Sequence, residues 1–229
     1  PPVLFIAVYR MNPDYMMILF SDDMGKQMLI GAVISQLIGA LVIWMAPLPR
    51  EATAALAVLI GLAEVAIWVV MVTGFDFDSP VLQDSAQRAW FGDLGITYHV
   101  GFYGFSLWLA GLTVVVGAAA IGFGAWVGRD RARAYFGLVL FLIGAVVGVF
   151  SSQDLLLFYV FFEMMLIPIY ILVGVWGGPK RVSATITFVI YTMAGSLLML
   201  ASIVVFGLSQ GTFSLIDSGV SSNDWVFLG

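Results

Sequence analysis

The run Asp154-Leu-Leu-Leu-Phe158-Tyr-Val-Phe-Phe-Glu163-Met-Met-Leu-Ile-Pro168-Ile-Tyr170-Ile-Leu-Val-Gly-Val-Trp176 decides what kind of protein this is. It is apolar along almost its whole length, with one carboxylate close to the middle. About 20 apolar residues, rising 1.5 Å each, cross the ~30 Å hydrocarbon core of a bilayer, so this stretch reads as a spanning helix. The composition agrees: the chain is 62% hydrophobic and 10% charged, whereas soluble domains are roughly half apolar and a quarter charged. Surface this apolar needs lipid as its solvent.

Working outward, similar runs occupy roughly 27–48, 52–75, 103–127, 135–152 and 184–207, beside the one at 155–176. The expected fold is therefore all-α, a polytopic transmembrane helical bundle of about six spanning helices. Residues 1–26 read as a partial helix, Pro1–Val8, followed by a turn and interfacial segment around Asn12-Pro13-Asp14 and Asp22-Asp23. Residues 27–229 read as one membrane domain. No short apolar stretch is followed by a small-residue cleavage site, so no signal peptide is expected.

The loops predict an orientation. Arg129, Arg131 and Arg133 follow the third helix, and Lys180 and Arg181 follow the fifth. The positive-inside rule places loops 128–134 and 177–183 in the cytoplasm, in a bacterial inner (plasma) membrane. Arg50 falls on the same side by alternation. The loop 76–98, with Asp76, Asp78, Asp84 and Asp93 against Arg88, and the tail with Asp217 and Asp224 go to the other side. Lys26 is the exception. Trp90, Phe91, Tyr98 and His99 in that loop suit the aromatic belt of an interface.

Composition also excludes whole classes of chemistry. Zero cysteines rule out disulfides, thiolate zinc sites and cysteine-bound iron–sulfur clusters. A single histidine, His99, leaves no histidine-rich metal or haem site, and a structural role suits it better than titration. No basic patch with interleaved aromatics points to nucleic acid. The partners expected are the lipid bilayer and other membrane proteins.

Glu163 is the leading candidate for function. A carboxylate at mid-bilayer costs at least ~2.5–3.5 kcal/mol on insertion scales, so it is held neutral, hydrated or beside a cation. A group poised between those states can relay protons; the ordinary alternative is a neutral acid hydrogen-bonded across a packed interface. Pro168 has no N–H, so the carbonyl of Met164 lacks its helical partner one residue from Glu163. Glu64, midway along the second helix, meets the same cost and is a further relay or support candidate. Thr187 and Tyr191, four residues apart on one helical face, are expected to hold water beside Glu163. Hydroxyls are also common glue between membrane helices.

The segments Ser152-Gln-Asp154-Leu-Leu-Leu-Phe158, Phe-Phe-Glu163-Met-Met-Leu-Ile-Pro168, Trp176-Gly-Gly178, Phe188-Val-Ile-Tyr191-Thr and Gly195-Ser-Leu-Leu-Met199 together resemble chain M of NADH-quinone oxidoreductase. The likeness runs over roughly 40–210 and is strongest over 150–200. It implies an antiporter-like membrane subunit of respiratory complex I, translocating protons while other subunits perform the redox chemistry. Residues 27–229 would be the N-terminal half of such a domain, with no cofactor, quinone or NADH on it. It implies that Glu163 is a proton relay paired with a lysine on a seventh helix, which would stand beyond residue 229. Its partners would be the other membrane subunits of complex I. The family is related to multi-subunit sodium/proton antiporters, a role that stands as the alternative. Two positions depart from the family pattern: Tyr103 stands where an aspartate is usual, and Thr187 where a lysine is frequent. Asn12-Pro13-Asp14-Tyr15, Leu19-Phe20 and Gln36-Leu-Ile-Gly39 resemble the last hairpin of a type II secretion F-domain protein. That implies a fusion near 36–45, or an inactive fragment joined to a secretion platform segment.

Overall fold

The computed structural model describes residues 22–91 and 96–216. The expectations for Pro1–Val8, the Asn12-Pro13-Asp14 turn, Asp93 and the tail acids Asp217 and Asp224 lie outside the described residues. Six long helices follow in order: α1 Asp22–Met45, α2 Arg50–Gly74, α3 Gly104–Val127, α4 Ala132–Ser151, α5 Leu155–Trp176 and α6 Arg181–Gln210. Five of them, α2 to α6, are long and apolar enough to cross a membrane. In α1 the described apolar part, Gly31–Met45, is shorter than a span. Among the described residues five full spans are found, where about six were expected. The helical membrane bundle itself is as expected.

The acidic loop adds a short hairpin to the expected helical bundle. Residues Gln83–Phe91 (β1) and Ile96–Phe102 (β2) pair antiparallel, with Gln83 opposite Phe102, Ala86 opposite Val100 and Arg88 opposite Tyr98. Ile96-Thr-Tyr-His-Val100 is rich in β-branched and aromatic residues, which fit a pleated, half-buried surface. Ile96, His99, Val100 and Phe102 are buried, so the hairpin caps the end of the bundle. A read for spanning helices does not register so short a pattern.

The bundle is built around α4, which packs against α1, α2, α3 and α5. In its most apolar window 61% of residues are buried, against 11% for α6, so α4 is the hub and α6 the rim. Lipid is as apolar as leucine, so close packing must hold the helices together, and small residues permit it. Gly111 on α3 accepts the Trp68 ring of α2, and Gly148 on α4 accepts the Phe161 ring of α5. At either position a Cβ would overlap that ring. The outward faces carry large apolar groups such as Phe105, Leu112, Ile190 and Leu198.

Candidate functional site

The start of α5 is anchored before Glu163 is reached. Asp154 is fully buried, and its carboxylate accepts from the backbone N–H of Leu156 at 2.9 Å and Leu157 at 3.1 Å. This N-cap satisfies donors that have no partner inside the helix. The same carboxylate accepts from the Thr97 N–H at 3.1 Å, which ties the helix start to the hairpin. On the other side, Leu155 N–H donates to the Phe213 carbonyl and Leu215 N–H to the Gln153 carbonyl, each at 2.9 Å. The chain before and after the pair α5–α6 is therefore clamped to one end of the bundle.

From that anchor Glu163 lies about 12 Å along α5, at 1.5 Å per residue. The buried residues of α5 are Leu157, Phe161 and Pro168, a stripe that faces α4. Glu163 sits two residues from Phe161, roughly 200° around the helix, so it faces away from the hub. It lines a groove of about 640 Å³ between α5 and α6 with Tyr159, Tyr170, Val189, Thr192 and Met193. One carboxylate oxygen, Oε1, is buried and has no hydrogen-bond partner. The Tyr159 phenol lies beside both the Glu163 carboxyl and the Ser196 hydroxyl of α6. The helix continues unbroken through Pro168.

The other sequence candidates are placed differently. Tyr191 points outward, 77% exposed, and Thr187 lines an adjoining groove with Lys180 and Ser183 at the start of α6. Neither lines the groove of Glu163. Thr192 and Tyr159 take the positions expected of them, because the face α6 turns to α5 carries 189, 192, 193 and 196. Thr192 donates to its own helix, to the Phe188 carbonyl. Tyr159 was legible in principle, four residues before Glu163 and hence on the same face.

Glu64 is buried on α2, 2% exposed, on a face shared with Ala57, Gly61 and Met71. The Ser35 hydroxyl of α1 contacts its carboxylate. Gln36, whose side-chain amide is buried, lies beside the same carboxylate. A sequence read of α2 alone shows no partner for this acid. The partners come from α1, some thirty residues earlier.

The two ends of the bundle differ in charge. Arg50, Arg131 and Arg133 line one groove at the end where α1, α3 and α5 finish. Lys180 and Arg181 stand at the same end, where Trp176 donates to the Asp130 carbonyl at 3.2 Å. The hairpin, Asp76, Asp78 and Asp154 stand at the other. Aromatic groups mark both: Tyr135 and Trp176, with ring centroids 5.4 Å apart, and Phe77 and Trp108, 5.7 Å apart. His99 is buried under the hairpin, where its carbonyl accepts from Gln153 N–H at 2.8 Å.

Residues 152–224 match the family described as NADH:quinone oxidoreductase/Mrp antiporter, transmembrane. The chain is 39% identical over 128 residues to NAD(P)H-quinone oxidoreductase chain 4 1 of Nostoc sp., which covers 56% of this chain and 24% of that protein. It is 31% identical over 157 residues to NADH-quinone oxidoreductase subunit M of Rickettsia bellii, 69% of this chain and 32% of that protein. The chain thus spans about a quarter to a third of the length of these relatives. Among solved structures, respiratory complex I from Thermus thermophilus with bound NADH matches 87% of this chain and 42% of the chain compared, at TM-score 0.70 and 31% identity. The Mrp complex from Dietzia sp. shares the fold, at TM-score 0.65 and 18% identity over 82% of this chain and 20% of that one. Over more than half of its residues, this chain is similar to proteins named NADH-quinone oxidoreductase subunit M and NAD(P)H-quinone oxidoreductase chain 4.

Proposed function

We propose that the chain is the N-terminal part of a proton-translocating, antiporter-like subunit of an NADH:quinone oxidoreductase, with Glu163 as its proton carrier. The observation that carries this reading is the setting of Glu163. It lies near mid-membrane, faces the α5–α6 groove and holds a buried carboxylate oxygen without a hydrogen-bond partner. A carboxylate there calls for a cation, a proton or water. Because it faces away from the α4 hub, its partner arrives from outside the six helices. A lysine on a further helix, as the sequence resemblance implies, would meet it in that groove. Tyr159 and Thr192 are placed to bridge it to water; Thr187 and Tyr191 would act further along α6. The subunit moves protons without redox chemistry of its own, and other membrane subunits of the complex are its partners. By the positive-inside rule the end bearing Arg50, Arg129, Arg131, Arg133, Lys180 and Arg181 faces the cytoplasm of a bacterial inner membrane.

The test is Glu163→Gln in the full-length subunit, within the assembled complex in closed vesicles. Glutamine keeps the size and removes the titrating proton, so NADH-driven acidification falls by about tenfold or more while assembly is retained. Undiminished pumping would sink the role. A second reading, a subunit of a multi-subunit sodium/proton antiporter, draws on the shared fold of the Mrp complex. Sodium-driven pH changes in vesicles without NADH would favour it.

A further inference from the structure

We propose that the arginine groove at the end where α1, α3 and α5 finish binds one acidic phospholipid, with the phosphate among Arg50, Arg131 and Arg133 and an acyl chain along the outer face of α1. This rests on the chain spanning a membrane and on nothing assigned to Glu163.

Two connections distant in sequence build the groove. Leu48, Pro49, Arg50 and Thr53 come from the α1–α2 turn and residues 131–134 from the start of α4, around a volume of about 420 Å³, within the range of small-ligand sites. Arg50 reaches across to the other connection: its Nη2 lies where a Cβ on Gly128 would stand. Every charge in the lining is positive. Glu51 and Asp130, the chain neighbours of Arg50 and Arg131, stand outside the lining. Among the described residues none of the three guanidinium groups has an ion pair or a hydrogen bond, whereas Arg129 lies over the Tyr135 ring, 5.5 Å from its centroid. The Thr53 hydroxyl is spent on the Pro49 carbonyl at 3.0 Å. Like charges gathered without a partner repel one another, and a bound anion removes that cost. Arginine's planar fork of donors matches phosphate oxygens. Both α2 and α4 begin in this groove without a side-chain cap, so their first N–H groups and their dipoles add to the positive field.

The position of the groove decides which anion it takes. Arg50 and Ala132 are the first residues of two spans, so the groove lies where a span meets water and where lipid phosphates sit. Basic pockets between helices at that level suit acidic headgroups. An apolar track leads from it into the membrane. Ile34, Ile38, Leu41, Val42 and Met45 are exposed and fall on one face of α1, a stripe about 16 Å long. The Trp44 ring, 6.0 Å from that of Phe141, holds α1 on α4 with this stripe outward. The stripe ends three residues before Leu48, in the wall of the groove. A soluble anion would use the arginines alone; positive charge joined to an apolar track fits a phospholipid.

The experiment uses the full-length protein in its complex, reconstituted in phosphatidylcholine vesicles with a trace of lipid carrying a diazirine in its acyl chain. Phosphatidylglycerol and phosphatidylcholine probes are compared after illumination, and cross-linked peptides of this chain are mapped by mass spectrometry. The phosphatidylglycerol probe should label residues 41–48 at least fivefold more, and each arginine lost should lower that preference by up to about fivefold. Arg131 holds a left-handed backbone, φ 53°, so Arg131→Gly removes the charge without straining the fold. Arg50→Lys and Arg133→Lys keep the charge and should keep most of the preference. Equal labelling by the two probes, or a preference untouched by Arg131→Gly combined with Arg133→Gln, overturns the proposal. Loss of the preference in millimolar inorganic phosphate assigns the groove to a soluble anion and overturns the lipid.

Discussion

Two acids in this chain sit at similar membrane depth in opposite surroundings. Glu64 is enclosed, with hydroxyl and amide groups of α1 against it, while Glu163 faces a groove and keeps one oxygen unpartnered. The difference comes from which face of the helix each occupies: Glu64 shares the buried stripe of α2, and Glu163 lies opposite the buried stripe of α5. A third titrating group sits outside the spans. Burial pushes the Tyr98 phenol above its ordinary value, so the folded hairpin favours the neutral ring. Its contribution to stability is complete below the ordinary tyrosine value of about 10 and is lost as pH rises through the raised one. Tyr98→Phe should therefore shift the alkaline unfolding midpoint upward, read by circular dichroism on the solubilised protein. An unchanged midpoint would mean that Tyr98 ionises without disturbing the hairpin.

At the scale of elements, the position of Glu163 depends on two contacts of α5. Asp154 caps its start with two helix N–H groups and ties it to Thr97. Asp154→Ala should cost about 1–2 kcal/mol from the lost cap, and Asp154→Asn, which keeps the acceptor, clearly less. Thermal unfolding in detergent checks the order of the two variants, and equal losses would refute the capping role. The second contact is Phe161 seated on Gly148 of α4. Gly148→Ala places a methyl group where that ring lies, so about 1–3 kcal/mol of overpacking is expected. Gly122, with open space beside it, should accept alanine with little loss, which makes it the internal control. Helix positions were largely readable from the apolar runs, since bilayer thickness dictates their length. The hairpin was not, because its strands are short and one of its buried positions is a histidine.

For the whole molecule, the separation of basic and acidic ends predicts opposite exposure to the two aqueous phases. The sequence holds no cysteine, so single introduced thiols report cleanly. In sealed right-side-out vesicles Ser79→Cys should react with an impermeant maleimide, and Asp130→Cys should react only after lysis. The reverse pattern would invert the proposed orientation. The sequence by itself determined that this chain lives in a membrane, where its helices run and that Glu163 lies deep within one. Those features follow from apolar run length and the cost of a charge in hydrocarbon, both local to the chain. It also carried the family likeness, since the motif around Glu163 is contiguous. Tertiary structure alone decided which groups meet. It turned Tyr191 outward, brought Tyr159 and Thr192 to the Glu163 groove, and delivered Ser35 and Gln36 to Glu64. Helix rotation and neighbour choice settle such pairings, and they depend on how glycines and rings of distant segments interlock, which no single run of residues records.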